Sequence, residues 1–242
     1  MSQPLCRVIW LGRIEYREAW RLQREVGARR AAGLVPDTFL LLEHPPVYTT
    51  GRRGAGDHLR LPVALLGAPL IETDRGGDIT FHGPGQLVAY PIIDLHSAGP
   101  GVIAYVRALE QVIISTLADY GIVARRERGL TGVWVGGEKI AAIGVRVSRP
   151  GGASGGWVTG HGLALNVDVE LSWFERIVPC GIADRGVTSM AKLLGWAPAL
   201  QEVADRLAEH FCRIFDRRLV PESRPVGLLS LTSTGDLKEG GK

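Results

Sequence analysis

Apolar and polar positions along the chain change period several times, and each change marks an element. Residues 5–11 (LCRVIWL) read as a strand. Between 13 and 32, Ile14, Tyr16, Trp20 and Val26 fall roughly on one side among many charges, which predicts a helix. Thr38–Glu43 is a continuous apolar run, short enough to be a buried strand, and His44-Pro45-Pro46 ends it because proline cannot join a central ladder. Strands are expected at 69–73 and 86–95, on either side of the glycine-rich segment RGGDITFHGPG. Residues 101–120 form the strongest helical pattern, from Val102 through Tyr105, Leu109, Val112, Ile113 and Thr116 to Tyr120, with Gly121 placed to cap it. Short strands follow at 122–125, 130–135, 138–148 and 157–167, with glycine turns between several of them. Short helices are expected at 170–178 and 188–194, and an amphipathic helix at 199–215.

This mixed order, without strict βα alternation, predicts an α+β fold with a mixed β-sheet and flanking helices. No linker or repeat divides residues 1–220, which read as one catalytic domain. The chain from 221 to 242 is rich in Ser, Thr, Gly and Pro and reads as a disordered tail.

Composition narrows the class. With 45% apolar and 22% charged residues in 242, this is an ordinary globular chain. No stretch approaches the roughly 18 apolar residues of a membrane helix, and the start lacks a secretory pattern. A cytoplasmic location without a membrane partner is expected. The net charge of +3 is spread out. The local basic spots, Arg52–Arg53 and Arg125–Arg128, read as solvated surface or as a docking face for an acidic partner. No basic stripe with interleaved aromatics suggests nucleic acid. Three widely separated cysteines, Cys6, Cys180 and Cys212, exclude a disulfide framework. The six histidines show no metal-ligand spacing, so no metal is expected.

Four segments carry candidate chemistry. In the run Arg75, Gly76, Gly77, Asp78, Ile79, Thr80, Phe81, His82, paired glycines let backbone approach a ligand, and His82 can orient or polarise it. A glycine-rich hairpin with a structural histidine is the plainer alternative. In Gly136–Gly144, a tight hairpin leads into a strand whose alternation points Lys139, Ala141 and Ile143 to one face. A lysine there suits a base, and a lysine guarding an edge strand suits the pattern equally. Cys180 lies between Pro179 and Gly181, so it belongs to a turn, whereas Cys6 and Cys212 read as buried and structural. His161–Asn166 starts with small residues suited to lining a pocket.

Taken together these blocks resemble the lipoyl(octanoyl) transferase family, also called lipoate–protein ligase B. Its pattern RGG-x-x-T-[aromatic]-H-x-x-G-Q-x-x-x-Y is matched by Arg75, Gly76, Gly77, Thr80, Phe81, His82, Gly85, Gln86 and Tyr90. Glu43–Thr49, Gly137–Arg146, His161–Asn166 and Pro179–Ile182 are similar to its other blocks. The resemblance implies the catalytic fold of biotin and lipoyl protein ligases. It implies Cys180 as nucleophile and Lys139 as its base. The acyl and donor site would comprise Arg75–His82, Ala142, Ile143, Gly144, Gly162, Leu163 and Ala164, with His44 close by. The donor would be octanoyl-acyl carrier protein. The acceptors would be lipoyl domains of 2-oxoacid dehydrogenase complexes and the glycine cleavage H protein. The enzyme would be a monomer and need no cofactor. An ATP-dependent lipoate or biotin ligase of the same fold is the alternative, and it would need no cysteine.

Overall fold

A computed structural model describes residues 3–54, 56, 58–95, 101–150, 156–182 and 184–222. The side chains of Cys180, Pro221 and Glu222 lie outside that description, as does the expected tail from 223 onward. In chain order the strands and helices are β1 (Leu5–Arg13), α1 (Tyr16–Ala31), β2 (Asp37–Glu43), β3 (Val47–Thr50), β4 (Leu70–Glu72), β5 (Thr80–His82), β6 (Gln86–Ile92), α2 (Val102–Ala118), β7 (Arg125–Glu127), β8 (Leu130–Val135), β9 (Glu138–Ser148), β10 (Val158–Asn166), α3 (Met190–Leu194), α4 (Leu200–Ile214) and β11 (Arg218–Glu222). Eight strands form one mixed sheet in the order β11-β1-β2-β6-β10-β9-β8-β7, and β4-β3-β5 form a small second sheet. The fold is α+β with helices on both faces of the large sheet.

The run at 39–42 is apolar throughout because its strand is buried on both sides. Phe39 and Leu41 pack with α2 and α4, whereas Leu40 and Leu42 pack with Ala19, Leu22 and Val26 of α1. Phe39 stacks on Phe211 of α4 with ring centroids 4.1 Å apart. A third cluster, built on Tyr48, Ile79, Phe81, Phe174 and Ile177, supports the small sheet. Gly121 adopts φ +72° just past α2, as a helix-ending glycine should.

Three elements escaped the sequence pattern. β3 and β5 are only four and three residues long. β5 lies inside the glycine-rich segment, where composition points to a loop. β11 runs through Pro221, parallel to β1 at the sheet edge, where a proline is tolerated. The segment 170–178 forms a 3₁₀ turn (Leu171–Arg176) rather than an α-helix. Among the described residues, no helix is long and apolar enough to cross a membrane.

The Phe39–Phe211 stack ties the central sheet to α4. Phe39→Ala is expected to lower unfolding free energy by about 3–5 kcal/mol in urea titration. An unchanged midpoint would show that this contact does not hold the layers together.

Candidate active site

The small sheet and the RGG segment close over one end of β9 and β10, and a slot lies between them. β8 stops pairing with β9 at Ala141, which leaves the next stretch of β9 with a free edge. The RGG loop occupies that edge: the Gly76 N–H donates to the Val145 carbonyl at 2.9 Å. A Cβ on Gly144 would lie 2.8 Å from the Gly76 oxygen, so only glycine permits this approach. The loop is pinned from the other side by Arg52 N–H to the Arg75 carbonyl (2.9 Å) and by Arg75 itself. The buried Arg75 guanidinium donates to the Thr49 carbonyl at 2.7 Å and to its hydroxyl at 2.9 Å.

Alternation along the short strand β5 then divides its residues. Thr80 and His82 face the slot, while Phe81 turns into the cluster beneath the small sheet, as does Ile79 just before it. Asp78 and Gly77 line the slot and Gly76 does not. The opposite wall is Ala142, Ile143 and Gly144 from β9 and Gly162, Leu163 and Ala164 from β10. His44 lies beneath the slot, fully buried, with Nδ1–H donating to the Ile14 carbonyl (2.7 Å) and Nε2 accepting from the Tyr90 hydroxyl (2.8 Å). Tyr16 of α1 also lines the slot, as do Tyr90 and His161 from the motif blocks. Tyr16 stacks on His82 at 5.9 Å between centroids. Helical spacing had marked Tyr16 only as an apolar-face residue.

Lys139 is positioned differently from the expected alternation. Between Val133 and Trp134 the β8–β9 register shifts, so β9 carries one extra residue opposite β8. Ile140 and Ala141 both pack into the main core, and Lys139 comes to the same side as Ala142. Ala141 therefore belongs to the core and not to the slot; the bulge changes the phase of the strand. Gly136 and Gly137, at φ +59° and +89°, form the tight hairpin that precedes it. Lys139 is 6% exposed, with Nζ 4.7 Å from the Trp134 ring centre. It shares a small cavity with Thr80, Gln86, Ala142, Asn166 and Pro179. Thr80 and Ala142 also line the slot, so the two spaces adjoin. Pro179 immediately precedes Cys180, whose backbone lies in the 3₁₀ turn Pro179–Gly181.

A buried chain of hydrogen bonds runs beneath both spaces. His82 Nδ1–H donates to Gln86 Oε1 (2.8 Å), Gln86 Nε2 to Asn166 Oδ1 (2.9 Å), and Asn166 Nδ2 to the Thr188 carbonyl (2.9 Å). The Thr188 N–H donates to the Lys139 carbonyl (3.0 Å) and the Lys139 N–H to the Gly186 carbonyl (2.9 Å). Sequence reading found Gln86 and Asn166 only as motif letters, because their link is made across three separate segments. The other two cysteines are buried in the core. Among the described residues no group of His, Cys, Asp and Glu could hold a metal ion.

Three buried histidines set a pH limit. Burial lowers His44 to about 4, burial with the nearby charges of Arg75 and Arg146 lowers His161 to about 3, and burial beside the Arg75 guanidinium holds His82 well below the ordinary 6.5. The unfolded chain takes up these protons as pH falls below about 6.5, while the folded protein does not until near 4 or lower. Stability is therefore expected to be full above about pH 6.5 and to fall between about 6.5 and 4, by on the order of 1–2 kcal/mol per histidine at pH 5. Denaturant titrations at pH 7 and 5 measure this, and equal midpoints would contradict the buried neutral state.

Comparison with known proteins agrees with this architecture. Residues 15–212 match the model of the lipoyl protein ligase A/B catalytic domain. An octanoyltransferase of Chloroflexus aggregans is 53% identical over 228 residues, covering 92% of this chain and 98% of that relative. An octanoyltransferase of Mycolicibacterium smegmatis is 49% identical over 223 residues, covering 90% of each. Among solved structures, a putative lipoate protein ligase from T. acidophilum, Ta0514, superposes with a TM-score of 0.70 at 16% identity, covering 96% of this chain and 92% of that one. Lipoate-protein ligase A bound with ATP gives 0.70 at 13%, covering 96% and 93%. At that identity the structures speak for the fold alone. The chain belongs to the lipoyl protein ligase A/B catalytic domain family, alongside relatives named octanoyltransferase.

Proposed function

We propose that this chain is a cytoplasmic octanoyltransferase. It moves octanoyl from acyl carrier protein to a lysine of lipoyl domains, through a thioester on Cys180 with Lys139 as base. The observation that carries the reading is the shared cavity of Lys139 and Pro179, which adjoins the slot through Thr80 and Ala142. Among the described strands Lys139 is the one lysine, and it lies beside the turn that bears Cys180.

In the first step Lys139 takes the thiol proton, the Cys180 sulfur attacks the donor carbonyl, and the donor's C–S bond breaks, the carrier thiolate leaving with the proton that Lys139 returns. The donor is itself a thioester, so the exchange is close to balanced and needs no adenylation. The apolar wall of Ala142, Ile143, Leu163 and Ala164 receives the acyl tail, and burial of its methylenes favours binding at about 0.8 kcal/mol each. Backbone N–H groups of β9 beside the slot stabilise the oxyanion. The Gly181 N–H is already given to the Val178 carbonyl at 3.1 Å. In the second step the acceptor amine, freed of its proton, attacks the acyl-enzyme and forms the amide. Donor and acceptor are used in turn, which gives ping-pong kinetics.

Mixing the protein with octanoyl-acyl carrier protein and measuring its intact mass tests this. Wild type is expected to gain one octanoyl group without ATP, Cys180→Ala none, and Lys139→Met to load at least roughly 100-fold more slowly. Native-rate transfer by Cys180→Ala, or a gain that requires ATP and releases AMP, would replace this reading with that of a ligase.

A further inference from the structure

His58 lies outside every sequence motif, yet its imidazole stands against the turn that bears Cys180. Leu59 bridges Ile177, Val178 N–H donates to the His58 carbonyl (2.8 Å), and Arg60 N–H donates to the Arg176 carbonyl (3.0 Å). The segment 58–60 is thus laid along 176–178, and this delivers the ring to the turn. His58 Nδ1 lies 2.9 Å from Asp78 Oδ2, an ion-pair approach that lacks the alignment of a hydrogen bond. The Asp78 side chain is 7% exposed, and its other oxygen accepts the Ile79 N–H at 2.6 Å. The Cε1–Nε2 side of the ring rests on Gly181. A methyl group on Gly181 would lie 2.8 Å from His58 Cε1 and 3.2 Å from Nε2. The imidazole thus has the buried carboxylate at Nδ1 and the nucleophile turn along its Cε1–Nε2 side, and the carboxylate oxygen itself comes within 3.5 Å of the same Gly181 position. A carboxylate that orients an imidazole toward a nucleophile's segment is an arrangement suited to proton transfer.

We infer that His58, oriented by Asp78, is the base that takes the proton from the incoming acceptor lysine. The inference rests on the octanoyl transfer proposed above and assigns its second half-reaction. An acceptor amine of pKa about 10.4 arrives protonated at neutral pH and cannot attack until it loses a proton. Lys139 is only 6% exposed, whereas the His58 side chain is 36% exposed. A lysine carried on another protein reaches an exposed imidazole more readily than a buried lysine. The ammonium N–H bond breaks and its proton passes to His58 Nε2. The freed nitrogen attacks the thioester carbonyl, the C–N bond forms, and the C–S bond to Cys180 breaks. The second amine proton goes to the departing Cys180 sulfur, and His58 returns the first to water. Asp78 touches no substrate in this scheme and acts as a positioning residue.

The two half-reactions separate the test from the reading beneath it. Wild-type protein is first loaded with octanoyl, freed of donor and followed by intact mass after a lipoyl domain is added. A wild type that never gains the octanoyl mass overturns the transfer reading itself. Given loading, acyl-enzyme of His58→Ala is expected to pass octanoyl to the domain roughly tenfold or more slowly than wild type. Added imidazole is expected to restore several-fold of that loss, which a merely structural role would not allow. His58→Gln, which keeps a polar side chain of similar length, is expected to be equally slow, and it carries the test if His58→Ala fails to fold. Native-rate transfer by either variant, a deficit that imidazole leaves unmoved, or a deficit confined to loading would each overturn the assignment.

Discussion

The arrangement depends on how a lysine is kept buried beside a turn. The main-chain N–H and carbonyl of Lys139 are both taken up along one edge by the segment Gly186–Thr188. Thr188 is in turn fixed by Asn166, Asn166 by Gln86, and Gln86 by His82. Each link is buried, and an unmet polar group at that depth costs about 1–3 kcal/mol. A disturbance at one end is therefore felt at the other. The same links hold the floor of the slot in register with the segment that follows the Cys180 turn.

Glycine and the bulge supply the remaining geometry. Without the extra residue in β9, Lys139 would lie on the face of Ala141 and enter the main core. With it, the lysine turns to the side of Ala142 and meets the slot. The RGG loop then fills the edge that β8 abandons, through Gly76 and against Gly144, where any larger residue would collide with backbone. The wall of the slot is thus made of main chain and small side chains. This leaves room for an acyl tail while His44, His82 and His161 stay neutral around it.

Much of this was legible before any coordinates. The two-sided burial of β2, the helix α2 and the hairpin at Gly136–Gly137 follow from periodicity and turn chemistry. Arg75–His82 and the wall residues were marked by the family resemblance, since paired glycines and small side chains alone fit a structural hairpin as well. The phase of β9 was not legible, since a bulge leaves no mark in apolar alternation. Ile79 and Phe81 illustrate a related limit: a motif written as a run of letters does not say which of them a three-residue strand turns inward. Tyr16 and Asn166 reach the site from distant segments, and His58 lies in a stretch whose composition reads only as loop. Such contacts arise from topology, which a local pattern does not encode.

The central claim is that the acyl group rests on one cysteine of three. It is tested most directly by locating the adduct. After brief exposure to octanoyl-acyl carrier protein without ATP, the protein is denatured, digested briefly with trypsin near pH 7 and its peptides are weighed. Cleavage after Arg176 and Arg185 isolates the peptide 177–185, which contains Cys180 and no other cysteine. One octanoyl group on that peptide, removed by neutral hydroxylamine as a thioester is, is the result expected. Octanoyl found on Cys6, Cys212 or a lysine peptide, with 177–185 unmodified, would contradict the account.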